Sequence, residues 1–219
     1  MKKIIFFIKT RLVFLFAHVM GFCFFEATSA QDLESVYYLR WKVYGDEGYI
    51  QKEDFPHQRL CDKYDDGYAI NFLATKNAVP IATTRLIMNS PYNFPTENLF
   101  NIKKVEHRNQ VHEIARLVIT PEFRRKSGRY KRLVMFGLAL VMYRFCMKRG
   151  VYFWLANMPG KLAESYKSFG AYFHRFPEQQ PETSHLQARN VIAGYFKKHV
   201  LHPYMVDIRS FAGHGFRLH

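Results

Sequence analysis

Six charged residues stand inside or beside apolar runs, where an unpartnered charge is costly to bury. Arg40 lies in Leu39-Arg40-Trp41-Lys42-Val43-Tyr44, Asp62 and Asp65 in Asp62-Lys63-Tyr64-Asp65, and Arg85 in Thr84-Arg85-Leu86. Glu113 and Arg116 lie in Glu113-Ile114-Ala115-Arg116. A carboxylate in a partly dry site can take a proton from an amine, directly or through water. A guanidinium can hold such a carboxylate in place, or bind a substrate carboxylate through two parallel hydrogen bonds. Glu113, on an apolar stretch that reads as a central strand, is the candidate base. Asp62 and Asp65 are candidates to bind an ammonium group or share its proton, with Arg40 and Arg116 pairing with them. The competing reading is a buried ion-pair network that ties residues 46–66 to a sheet and does no chemistry. Positions 113 and 116 face opposite sides of a regular strand. Joint action therefore requires a bulge, or separate roles on the two faces.

The elements that must position these residues read as follows. Thr28 or Ser29 caps a helix over 31–44, ended by Gly45 and Gly48. Residues 46–66 form a polar loop or short helix. Strands over 68–74 and 79–88 make a hairpin around Lys76-Asn77. Residues 89–104, rich in Pro and Asn, read as irregular. A central strand covers 111–120 and Pro121 ends it. A basic, Gly-containing loop covers 123–130 and a long apolar helix 133–148. A strand over 151–156, a helix over 161–169 closed by Gly170, and a strand over 171–176 follow. The rest is a polar loop over 177–190, a helix over 191–200 and a strand over 204–211. This order predicts an α/β (α+β) fold, a mixed sheet with helices on both faces.

The stretch Arg124-Arg125-Lys126-Ser127-Gly128-Arg129-Tyr130 opens the long helix. Backbone N–H groups at a helix start, with Gly allowing close approach, can bind an anion. It resembles the pyrophosphate loop of GNAT acyltransferases, though Tyr130 replaces the final small residue. Ala163-Glu164-Ser165-Tyr166-Lys167-Ser168-Phe169-Gly170-Ala171 resembles a later helix and turn of that superfamily. In the superfamily, the hydroxyl at the position of Tyr166 often protonates the departing thiolate. From Arg40, the acids follow at 22 and 25 residues, Arg85 at 45, Glu113 at 73 and Arg116 at 76. That order resembles the acyl-homoserine-lactone synthases and the long-chain N-acyl amino acid synthases, both GNAT-type.

The resemblance implies a GNAT-like sheet and an N-acyltransferase moving a fatty acyl chain from acyl-carrier protein to the amine of an amino acid. Acyl-CoA is the other donor, and no permanently bound cofactor or metal is implied. Arg40, Asp62, Asp65, Glu113, Arg116 and Tyr166 would be catalytic. Arg85, Tyr44 and Tyr49 would bind substrate, Tyr49 being nearest to a family Trp that is absent. Backbone N–H groups near Val118 and Ile119 would hold the thioester oxyanion if the strand splays there. Arg124, Arg125, Lys126, Gly128, Arg129 and Arg132 would meet the pantetheine or the acidic carrier protein. The alternatives are an acyl-homoserine-lactone synthase, a CoA-dependent acetyltransferase, and a basic membrane- or nucleic-acid-binding module without catalysis. On this reading Asp65→Asn abolishes acylation without unfolding the chain.

With 219 residues, one main domain over 24–219 is expected, after a basic, apolar segment over 1–23. The net charge of +14 suits an anionic partner. No nucleic-acid motif appears, so nucleic acid is not the expected one. Cys23, Cys61 and Cys146 make an odd, unpaired set, which argues for a reducing, cytoplasmic setting. The N-terminus has three readings. It is a helix on the inner membrane surface followed by a strand near 22–27, a helix packed on the domain, or a secretory signal cut after Ala30.

Overall fold

The computed structural model describes residues 11, 13–100, 102, 105–125, 128–167, 171, 173–177, 194–195 and 198–212. Helix α1 (residues 13–19) leads into strand β1 (Phe22–Glu26). Ser29 takes extended backbone and accepts the Asp32 N–H through its hydroxyl, filling a donor that a helix start leaves open. Helix α2 (Ala30–Asp46) follows, burying Val36, Tyr37, Leu39, Arg40 and Val43. Gly45 lies inside it, and the turn away comes at Glu47 and Gly48, whose φ is 65°. Strands β2 (Ala69–Lys76) and β3 (Val79–Ile87) form the hairpin. Its turn is Asn77-Ala78, one residue later than expected, with φ of 49° and 64°. Two left-handed residues match the twist of the flanking strands.

Residues 89–104 are not wholly irregular. They contain helix α3 (Pro95–Phe100). Pro95 suits a first helical position, and the Glu97 carboxylate reaches back to the Phe94 N–H at 2.9 Å. Strand β4 (Val111–Ile119) and helix α4 (Pro121–Arg125) follow. Helix α5 (Gly128–Lys148) begins five residues earlier than expected, so most of the expected basic loop is helical. Strand β5 (Phe153–Met158), helix α6 (Gly160–Lys167), the two-residue β6 (His174–Arg175) and β7 (His202–Asp207) complete the set. A 3-10 turn, Ile208–Ala212, takes the place of the end of the expected last strand. The expected loop over 177–190 lies almost wholly outside the described residues. Of the helix expected over 191–200, residues 194, 195 and 198 are described and helical.

The sheet order is β1-β2-β3-β4-β5-β7-β6, and only the β4–β5 pair is parallel. Phe72 and Ala74 pack in the large cluster with α5, whereas Leu73 packs with Val36 and Leu39 of α2. Side chains alternate along a strand, so α2 and α5 cover opposite faces. Ala17 of α1 and Phe22 of β1 belong to the α5-side core. The boundary expected between 23 and 24 thus falls within β1. Gly137 of α5 lets Phe24 close in, since a Cβ there would meet the ring at 2.4 Å. No described helix is long and apolar enough to cross a membrane. The three cysteines are free, Cys23 and Cys61 exposed and Cys146 buried.

Candidate active site

Strand β4 carries the bulge that joint action of positions 113 and 116 requires. Thr83 pairs with Val118 and Arg85 with Ala115, so Thr84 faces two residues, Arg116 and Leu117. Arg116 has φ 56°, an uncommon conformation for a side chain of this size. The extra residue returns Arg116 to the face that carries Glu113, under α2. Beyond this point β4 and β5 part. Their pairing runs from Val111/Phe153 to Ile114/Ala156 and stops.

Five of the six charged residues form one network. The turn 62–65 first orders itself. The Tyr64 N–H donates to Asp62 Oδ1 and the Asp62 N–H to Asp65 Oδ2, both at 3.1 Å. Arg40 Nη1 bonds both Asp65 oxygens at 2.9 and 3.0 Å, and Nη2 donates to Asn71 Oδ1. Arg85 Nη1 reaches Asp62 at 2.8 Å and Asp65 at 2.7 Å, and its Nη2 reaches Asp62 Oδ2 at 2.7 Å. Arg116 Nη2 donates to Asp62 Oδ2 at 2.8 Å. Burial alone would raise both carboxyls. The guanidiniums of Arg85 and Arg116 on Asp62, and of Arg40 and Arg85 on Asp65, outweigh it and hold both well below the usual range. Of the two roles expected of these acids, binding an ammonium group or sharing its proton, this favours the first. At neutral pH both are fixed anions.

Glu113 is separate in kind. It is fully buried, and its carboxyl accepts the Thr96 N–H at 3.0 Å, the Thr96 hydroxyl at 2.9 Å and Asn157 Nδ2 at 3.1 Å. Burial pushes it up to about 8, against the pull of the two Thr96 bonds and of Arg85. The Thr96 hydroxyl can donate to a carboxylate or accept from a carboxylic acid, so the pocket suits both states. A carboxyl that titrates near neutrality is fit for proton transfer.

A cavity of ≈ 460 Å3 opens where β4 and β5 part. Asp62, Arg85, Glu113, Arg116 and Asn157 line its polar end, and Val118, Met135, Met158, Leu162 and Tyr166 are among its apolar lining. Arg40 and Asp65 lie behind the wall and do not border it. Antiparallel alternation fixes the strand amides. The Thr120 N–H donates to Ile81, so the Val118 N–H turns to β3 and the Ile119 N–H turns to the cleft. Of the two amides expected near the cleft, only that of Ile119 faces it.

A family model described as "N-acyl amino acid synthase FeeM" matches residues 35–189, from within α2 past β6. The chain belongs to the FeeM family of N-acyl amino acid synthases. As a member of that family it is an acyltransferase. No curated protein sequence matches it significantly. Among solved structures it is similar to FeeM from uncultured soil microbes, with TM-score 0.60, 9% identity, and coverage of 88% of this chain and 93% of that one. It is similar also to BjaI, a CoA-dependent acyl-homoserine lactone synthase bound to SAM and isopentyl-CoA, with TM-score 0.61, 17% identity, and coverage of 86% and 83%. A protein assigned as an N-acetyltransferase, from Lactobacillus plantarum, follows with TM-score 0.50, 12% identity, and coverage of 86% and 99%. At these identities the likeness is one of fold, GNAT-like as expected.

In this FeeM-family chain the remaining expected residues divide. Tyr44 and Tyr49 line the cavity, with ring centroids 5.6 Å apart, and Arg116 lies over the Tyr44 ring at 5.6 Å. Tyr166 is buried at the cavity wall, and burial raises its hydroxyl above its ordinary range, so it stays protonated. Arg124 borders the cavity and is paired with Glu47. Lys126 lies outside the described residues, as do the side chains of Arg125 and Arg129. Gly128 is the first residue of α5. Arg132 is exposed.

Four cavity or pocket residues escaped the sequence reading. Thr96 lies on the unanticipated α3, whose signals were Pro95 and Glu97. Asn157 lies one residue past the expected end of β5, with period-2 alternation as its only signal. Tyr195 and His199 close the cavity near Tyr49, whose hydroxyl is 2.9 Å from His199 Nε2. Nothing local in the sequence points to them.

Proposed function

We propose that the protein transfers a fatty acyl chain from the thioester of acyl-carrier protein to the α-amine of an amino acid. The observation that carries this reading is Glu113, poised to titrate near pH 8 at the wall of a cavity that also holds Arg116. The amine attacks the thioester carbonyl, a C–N bond forms, and Glu113 takes the amine proton. The Ile119 N–H holds the developing oxyanion. The C–S bond breaks and the Tyr166 hydroxyl gives the leaving thiolate its proton. Asp62, a fixed anion at the cavity wall, orients the incoming ammonium group, which gives its first proton to water before the neutral amine attacks.

Arg116 binds the acceptor carboxylate. Arg40 and Arg85 commit both terminal nitrogens to Asp62, Asp65 and Asn71, whereas Arg116 is held by Asp62 through Nη2 and by the Tyr44 hydroxyl, itself a cavity residue, and borders the cavity. This moves the substrate-binding role from Arg85 to Arg116. Arg40 and Asp65 act through the others, as positioning residues. Lys131 at the cavity rim and the exposed Arg132 suit an acidic carrier protein. The cytoplasm, where such carriers are charged, is the proposed setting.

The test is purified protein with acyl-carrier protein or CoA thioesters and each amino acid in turn, followed by mass spectrometry. An N-acyl amino acid formed faster from the carrier-protein donor supports the whole reading. Product formed equally well from CoA removes the carrier protein, and no product from any pair removes the reading. Arg116→Lys keeps a partner for Asp62 and loses the planar fork. Its KM for the acceptor should rise roughly 10–100-fold, the worth of a charge-assisted bond, with a smaller change in kcat. An unchanged KM would assign the carboxylate to another residue.

A further inference from the structure

Helix α1 is apolar on two sides. Val13, Phe14, Ala17 and Met20 pack on the α5-side core. Leu15, Phe16 and Val19 face outward, 61%, 62% and 79% exposed. The β2–β3 turn lies against the end of this helix, since the Asn77 N–H donates to the Gly21 carbonyl at 2.8 Å and Lys76 Nζ donates to that of Met20. That turn presents Val79, 62% exposed. Of the seven large exposed apolar residues among those described, four are thus in this one corner. Scattered singly they would need no explanation, but a cluster does.

The rim of the cluster is basic. The Arg144 guanidinium lies over the Phe14 ring at 4.6 Å. Burial and then the neighbouring charge of Arg11 lower its pKa, which puts Arg11 at the same rim. Lys76 closes the other end. The sequence holds no acid before Glu26.

We infer that the outward face of α1 docks the protein on an anionic lipid bilayer, with Leu15, Phe16 and Val19 entering the headgroup boundary and the basic rim meeting lipid phosphates. A short apolar wedge ringed by cations is what such a surface binds. A second copy of the chain fits less well. It would set two basic rims against each other, and a stable dimer interface takes about 20–30 residues a side, against the four exposed apolar residues here. None of the four residues lines the cavity, so docking leaves it open. The inference does not rest on the proposed reaction.

The experiment is flotation of the full chain with phosphatidylethanolamine–phosphatidylglycerol vesicles and with phosphatidylcholine vesicles, beside the double variant Phe16→Gln/Val19→Gln. Both positions are exposed, and circular dichroism checks the fold. Wild type should bind the anionic vesicles at least about tenfold more tightly than the neutral ones, and less tightly in about 0.5 M salt. The double variant should lose at least about tenfold of that binding. Binding equal in wild type and variant, or indifferent to lipid charge, overturns the inference, as does no binding at all. Sedimentation velocity covers the other occupant. A wild-type dimer that the variant abolishes, with neither form floating, assigns the face to a second copy and overturns the bilayer.

Discussion

Glu113→Gln should lower the acylation rate by roughly 10²–10⁴-fold while the protein stays folded, the usual worth of a general base. The amide fills the same space, and the Thr96 N–H still has an oxygen to meet. The pH dependence separates base from scaffold. With a carboxyl at about 8, the wild-type rate climbs as Glu113 loses its proton. The substrate amine titrates in the same direction, so the ratio of wild-type to variant kcat/KM is the quantity to follow, because the amine cancels. That ratio should rise from pH 6 and level off above about pH 9. Stability runs the other way. The folded carboxyl holds its proton more tightly than the unfolded one, so this contribution is full below pH 4.5 and fades as pH rises through 8. The variant lacks this loss, so its stability relative to wild type should improve between pH 6 and 9 in urea titrations. A variant that keeps more than about a tenth of the activity would make Glu113 a structural residue.

Asp65→Asn should destabilise the chain by about 3–5 kcal/mol, because it leaves Arg40 and Arg85 buried and undercompensated. The side chains of Arg40, Arg85 and Asp65 are 1%, 2% and 4% exposed. For a chain of this length that corresponds to a fall in Tm of roughly 10 °C. This reverses the sequence-based expectation of a folded, inactive variant. Asp62→Asn supplies the contrast. Asp62 is 27% exposed at the cavity wall, so its loss should cost less stability and more activity. Equal effects of the two substitutions on Tm would show that the network is not divided between wall and support. Both carboxyls are depressed, so their contribution to stability is present above about pH 4 and is lost as the pH falls below it.

The sequence by itself determined which charged residues need partners and most of the scaffold. Arg40, Asp62, Asp65, Arg85, Glu113 and Arg116 were legible because a charge in an apolar run is costly without a partner. Ser29, the hairpin and β4 were legible because caps, turns and apolar strands are written in a few neighbouring residues. The need for a bulge at 113–116 followed from strand periodicity. Helix α3 was missed because six residues are too few to show a period, and with it went Thr96.

Only the tertiary structure decided where each of these residues sits and what it pairs with. The bulge turns Arg116 toward Asp62 and the cavity. Arg85 is drawn wholly into the acids, Asp65 is set behind the wall, and Glu113 is buried deeply enough to titrate near 8. Asn157, Tyr195 and His199 come from segments 44 or more residues from Glu113. Propensity acts over a few residues along the chain. The separation of a buried carboxyl from the ion network, and of cavity wall from support within that network, depends on burial and on donor geometry, and both are set by contacts between distant segments.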